Sequence, residues 1–101
     1  MDQLRIYTLA DKETAAQYFT SNWAKHRINL PRFGFEVKGV WIGHTPGVSN
    51  QVIVLVSFPD NADVDEMTER YLNSAEFAAD TAEFDRNKII NVETKILRSA
   101  R

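Results

Sequence analysis

Arg5 and Tyr7 stand two residues apart in LRIYTL, Leu4 to Leu9, a stretch rich in β-branched and aromatic residues that reads as a strand. Alternation along a strand sends both side chains to one face, a guanidinium beside a phenol. Trp41, in the strand-like run Phe35 to His44, would add a flat ring if it lies near them on the sheet. In a cleft between sheet and helix these groups suit an anionic or aromatic ligand. The competing structural reading pairs Arg5 with Glu93 on a neighbouring strand and gives the rings to the core.

Trp23 and His26 are three residues apart on a helix-like segment and so share a side of it. His26 would border the same cleft as a base or an axial haem ligand, or else be an ordinary half-buried histidine. His44, the only other histidine, ends a strand before a loop and reads as solvated. Tyr71, with Met67 and Arg70, would form the opposite wall, or be ordinary packing with an exposed charge. The candidate ligand-binding residues are therefore Arg5, Tyr7, Trp23, His26, Trp41 and Tyr71, with no catalytic residue singled out. Asp60, Asp63, Asp65, Glu66 and Glu69 crowd the start of the second helix, where negative charge offsets the helix dipole. Their spacing lacks the Ca²⁺-loop pattern, so neither a metal nor a cofactor is expected.

The elements that must position these residues follow from local signals. After the first strand, Asp11 supplies an N-cap. The segment beyond it carries Ala15, Phe19, Trp23, Arg27 and Leu30, or Ala16, Phe19, Trp23 and His26, along one stripe, ending at Pro31 and Gly34. Phe35 to His44 alternates as an edge strand, with Gly39 marking a bulge or a close backbone approach. The polar stretch TPGVSN leads to a third strand, QVIVLVSF, Gln51 to Phe58. Asp63 to Glu66 has the form of a capping box before a helix from about Val64. Ser74 interrupts that helix and caps a second piece, and Lys88 to Leu97 reads as the fourth strand.

The order βαββαβ favours an α+β ferredoxin-like fold: a four-stranded antiparallel sheet with both helices on one face and the first and third strands central. One domain accounts for residues 1–101. The third strand then poses a problem. Val52, Val54, Val56 and Phe58 fall on one side, Ile53 and Leu55 on the other, yet the helices shelter only one side. Leaving four such side chains in water forgoes roughly 6 to 12 kcal/mol. The pattern predicts a homodimer stacked through its sheet faces, a barrel-like assembly.

Composition excludes several classes. An apolar fraction of 44% and a charged fraction of 26% are those of a folded globular chain, and no apolar run is long enough to span a bilayer. A net charge of -2, with Lys and Arg scattered, gives no footprint for nucleic acid or a membrane surface. The absence of cysteine removes thiolate chemistry and disulfides. With strand-like sequence starting almost at Met1, the expected location is the cytoplasm, unless a leader has been removed.

Several motifs, in order, are shared with one family. Gln3-Leu4-Arg5-Ile6-Tyr7-Thr8-Leu9 resembles the E-L-R-x-Y-x-L opening of NIPSNAP-like domains, members of the dimeric α/β-barrel superfamily. Gly34-Phe35 with Gly39 and Trp41 is similar to that family's G-F-x-x-x-G-x-W strand, and Asn50 with the third strand to its N-x-V-x-x-L pattern. Ser74-Ala75-Glu76-Phe77 resembles its small-x-E-W turn, and Glu93 and Leu97 its closing E-x-x-I-L. Gln3 and Phe77 depart from the usual acid and tryptophan. The resemblance implies the fold and the dimer. With the candidate cleft residues, the leading expectation for function is a protein binding a small hydrophobic or aromatic molecule in a cleft between sheet and helices. The alternatives are a cofactor-independent monooxygenase or isomerase, and a protein-interaction or assembly module. Haem-degrading relatives place a histidine on the second helix, and none lies there in this chain.

Overall fold

The computed structural model describes residues 1–100. Strand β1 spans Asp2–Leu9, β2 Glu36–Ile42, β3 Gln51–Ser57 and β4 Ile89–Leu97, in one antiparallel sheet ordered β2-β3-β1-β4. Helices α1 (Lys12–Gln17) and α2 (Trp23–Asn29) lie between β1 and β2, and α3 (Val64–Leu72) and α4 (Ala75–Asp80) between β3 and β4. This is the expected α+β arrangement with β1 and β3 in the centre. No helix among the described residues is long and apolar enough to cross a membrane.

The caps read from sequence form as hydrogen bonds. Asp11 Oδ1 accepts from Thr14 N at 2.7 Å, Asp63 Oδ1 from Glu66 N at 3.1 Å, and Ser74 Oγ from Phe77 N at 3.0 Å. Each satisfies an N–H that the first helical turn leaves without a partner. Gly34 closes the helical segment after α2 at φ 96°, a left-handed geometry that favours glycine. Asn50 locks the end of β1: its side chain donates to Leu9 O at 2.9 Å, and its own carbonyl accepts from Leu9 N at 2.8 Å.

The register assigns every sheet residue a side. Gln3, Arg5 and Tyr7 stand opposite Val56, Val54 and Val52 on β3, and opposite Ile96, Thr94 and Val92 on β4. This is the side beneath the helices, where Leu9, Val52, Val54, Val56 and Phe58 are buried with Tyr18, Trp23, Leu30, Met67 and Tyr71. Leu4, Ile6, Ile53 and Leu55 share the other side, which no helix of this chain covers.

Two expectations give way here, each because one residue is inserted into a regular element. Between α1 and α2 the helical path widens into a single π turn over Tyr18–Asn22. It rotates the stripe, so Tyr18 and Asn22 are buried beside Ala15, Trp23, His26 and Leu30, while Ala16 and Arg27 point to solvent. In β2 a bulge shifts the register between Val37 and Gly39. An extra residue inverts the parity of everything after it. Val40 and Ile42 therefore join the helix side, and Trp41 turns to the open side, 50% exposed, with its ring lying over Gly39.

Candidate functional site

Beneath the helices, a cleft of about 470 Å³ lies between the inner side of β1 and β4 and the walls formed by α2, α3 and α4. The helices cover the centre of the sheet and stop short of β4, leaving Val92 and Ile96 about half exposed. The open side of the cleft follows that strand. Its lining includes Arg5, Tyr7, Tyr18, Trp23, His26 and Tyr71.

Of the six residues singled out from sequence, five meet in this cleft: Arg5, Tyr7, Trp23, His26 and Tyr71. Trp41 does not, since the β2 bulge carries it to the opposite side of the sheet. The proposed Arg5–Glu93 pair fails for a related reason. Glu93 stands opposite Ile6, on the open side, where its carboxylate lies 3.5 Å from Lys95 Nζ. Arg5 instead donates from Nε to Gln3 Oε1 at 2.8 Å and from a terminal nitrogen to Thr68 Oγ1 at 3.3 Å, with its guanidinium 5.0 Å from the Phe35 ring centroid. It is buried, and no carboxylate pairs with it among the described residues.

Aromatic rings make the walls. Tyr7 meets Tyr18 at 5.4 Å and Trp23 at 5.8 Å, and Trp23 meets the His26 ring edge-on at 5.0 Å between centroids. Phe77 stacks on His26 at 5.9 Å with 15° between planes. Trp23 Nε1 is a fully buried N–H with no hydrogen-bond partner among the described residues. An indole N–H held away from water without an acceptor costs free energy.

Two residues absent from the sequence-based set complete the site. Tyr18 was hidden by the π turn, which no local signal announced. Asp80, the last residue of α4, is buried and accepts from the Tyr71 hydroxyl at 2.9 Å. Asn29 Nδ2 lies 3.0 and 2.9 Å from its two carboxylate oxygens, and Asn22 Nδ2 donates to its main-chain carbonyl at 3.3 Å. His26 Nδ1 is 2.5 Å from the Tyr71 hydroxyl and 3.5 Å from Asp80 Oδ2. The second distance amounts to an ion pair only if the imidazole is charged. Burial opposes that charge and lowers the His26 pKa, against a smaller upward pull from Asp80. Burial likewise raises the phenols of Tyr18 and Tyr71, with Asp80 adding to the rise at Tyr71. Both are neutral phenols at physiological pH.

An α+β sandwich of this topology, with an aromatic cleft under its helices, is the ferredoxin-like class of small domains. The NIPSNAP family model matches residues 2–101, and the chain belongs to that family. Its fold is similar to that of protein Atu4242 from Agrobacterium tumefaciens, at 19% identity and TM-score 0.78, over 99% of this chain and 93% of that one. Two proteins from Burkholderia xenovorans are also similar. An uncharacterized NIPSNAP domain protein has 13% identity and TM-score 0.74, covering 98% and 94% of the two chains. A NIPSNAP-like domain protein has 20% identity and TM-score 0.72, covering 98% and 84%. No curated protein matches the chain.

Proposed function

We propose that the chain is a homodimeric binding protein whose cleft takes a small aromatic or hydrophobic molecule carrying an anionic group. The observation that supports this reading is Arg5, only 6% exposed, whose guanidinium lies in a ring-walled cleft with no carboxylate paired to it among the described residues. Burying a cation without a counter-charge is costly, and hydrogen bonds to Gln3 and Thr68 with one ring contact return only part of the cost. A ligand carboxylate restores the balance, and Tyr7, Tyr18, Trp23 and Phe77 receive its apolar body. Asp65 and Arg86, both exposed, also line the cleft and add one charge of each sign at its edge.

Thermal-shift measurements and tryptophan fluorescence with benzoate, phenylacetate and naphthoate test this. Stabilisation by these anions, weakened at least tenfold in apparent affinity by Arg5→Lys, is the expected result. Benzyl alcohol binding as tightly as benzoate would remove the anionic part of the reading, and no response to any of them would sink it.

The dimer has its own support. Leu4, Ile6, Ile53 and Leu55 form a continuous apolar strip on the open side, flanked by the half-exposed Trp41 and by Leu97 at 37% exposure. A second copy stacked through this side would bury the strip. Light scattering after size-exclusion chromatography reads the mass directly, and a monomer at micromolar concentration defeats this part. A pure assembly module is the rival favoured if the strip pairs but the cleft binds nothing.

A further inference from the structure

His26, Tyr71 and Asp80 form a chain of groups that ligand binding alone leaves unused. Tyr71 has one hydroxyl hydrogen and donates it to Asp80 Oδ2 at 2.9 Å. Its oxygen, 2.5 Å from His26 Nδ1, then accepts, so the imidazole carries a proton on Nδ1. Neutral imidazole with that proton keeps a lone pair on Nε2. Nε2 has no hydrogen-bond partner among the described residues. Since Trp23 Nε1 is the sole fully buried side-chain nitrogen or oxygen in that condition among the described residues, Nε2 retains access to open space, and the space His26 borders is the cleft.

We infer that His26 is a general base acting on an enolisable aromatic anion held in the cleft, with Tyr71 and Asp80 as positioning residues. This rests on the ligand-binding reading and adds a reaction to it. Nε2 takes a proton from the carbon beside a carbonyl. The C–H electron pair moves into the carbonyl, and the resulting enolate oxygen is stabilised by Arg5. The imidazolium so formed has its Nδ1–H on Tyr71 and, beyond it, the Asp80 carboxylate. Return of the proton to carbon or to the enolate oxygen completes a tautomerisation, and no oxidant or metal is consumed. Phe77 stacked on the ring and Trp23 at its edge limit water around the base. The groups acting on His26 are Asp80 from α4, Tyr71 from α3, Tyr18 from the π turn, Arg5 from β1 and Lys25 on its own helix. Among them only Asp80 favours the charged imidazole, while burial, Arg5 and Lys25 hold it neutral.

Phenylpyruvate is a suitable probe because it joins a ring, a carboxylate and an acidic C–H. Proton NMR in D₂O reads loss of its methylene signal. The expected result is exchange accelerated about a hundredfold over protein-free buffer, the lower range for general base catalysis. His26→Gln should abolish the acceleration, and Tyr71→Phe should reduce it about tenfold with the fold intact by circular dichroism. The protein-dependent rate should rise with pH to a plateau, with its midpoint below 6.5, the ordinary histidine value, because the base has a lowered pKa. A flat profile overturns the inference. So does nitrogen-15 NMR of the intact chain showing the proton on Nε2, a result that does not depend on any variant folding. Benzoate has no enolisable hydrogen and separates the two claims. Binding of benzoate and phenylpyruvate without exchange overturns the general base and leaves the binding reading standing. Failure of both to bind overturns the two together.

Discussion

Val54 and Leu55 are adjacent on the same central strand, and their environments are opposite. Val54 lies under the helices at 0% exposure, between Arg5 and Val40 on the flanking strands. Leu55 stands between Leu4 and Gly39 with no helix of its own chain above it. On β3 the residue types of the two sides are nearly interchangeable, so the hydrophobicity of this strand does not decide which side becomes the core. The helices decide it, because their rings need a flat aliphatic floor and only one side of the sheet lies on their side of the connections. The covered side carries most of the rings and titratable groups of the candidate site. The open side has few such groups, with an apolar strip bordered by the Lys95–Glu93 pair.

The sharpest way to break this comparison is to place the same charge on each side. Val54→Asp buries an unpaired carboxylate and should cost about 4 kcal/mol or more, enough to unfold a domain of this size. Leu55→Asp should keep native circular dichroism and convert a dimer to a monomer by light scattering. Equal damage from both would show that the open side is as deeply committed to the core as the covered one.

A smaller effect is expected at Gly39, where an added Cβ would sit 2.4 Å from the Trp41 ring. Gly39→Ala should displace that ring at a cost of about 1 to 3 kcal/mol, change tryptophan emission and weaken self-association, while leaving ligand response in the cleft unchanged. Ser74→Ala removes the cap of α4 and should cost about 1 kcal/mol in a denaturant melt, acting on the covered side because α4 carries Asp80 and Phe77.

The last test uses pH. The folded-state pKa of His26 lies below the ordinary 6.5, so between those two values the unfolded chain binds more protons than the folded one. The contribution to stability is full above pH 6.5 and is lost as pH falls through the folded-state value. Melting temperature should decline over that window in the wild type and decline less in His26→Gln, measured by circular dichroism at constant ionic strength. A wild-type curve superimposable on the variant's would place His26 in a wetter setting than the covered side provides.

That five of the six candidate residues line one cleft was legible because strand alternation and helical spacing group side chains by short-range geometry. Trp41 was misplaced although Gly39 had marked a possible bulge, since glycine signals the irregularity without saying how many residues it inserts. One extra residue was enough to turn the indole through the sheet. Tyr18 escaped in the same way through the π turn. Asp80 escaped for another reason: it stands 51 positions from Asn29 and meets it only after the α layers pack, and an aspartate near the end of a short helix carries no local mark of burial.

What the sequence determined by itself was the local set: four strands, the caps at Asp11, Asp63 and Ser74, and the order that selects an antiparallel sheet with helices on one side. These depend on interactions within a few residues, whose energies differ little from one context to another. The tertiary structure decided parity and meeting: which way Trp41 faces, that no carboxylate among the described residues pairs with Arg5, and that His26, Tyr71 and Asp80 share one network. Those outcomes depend on single-residue insertions and on contacts between distant segments, so they exist only once the whole chain has closed around its core.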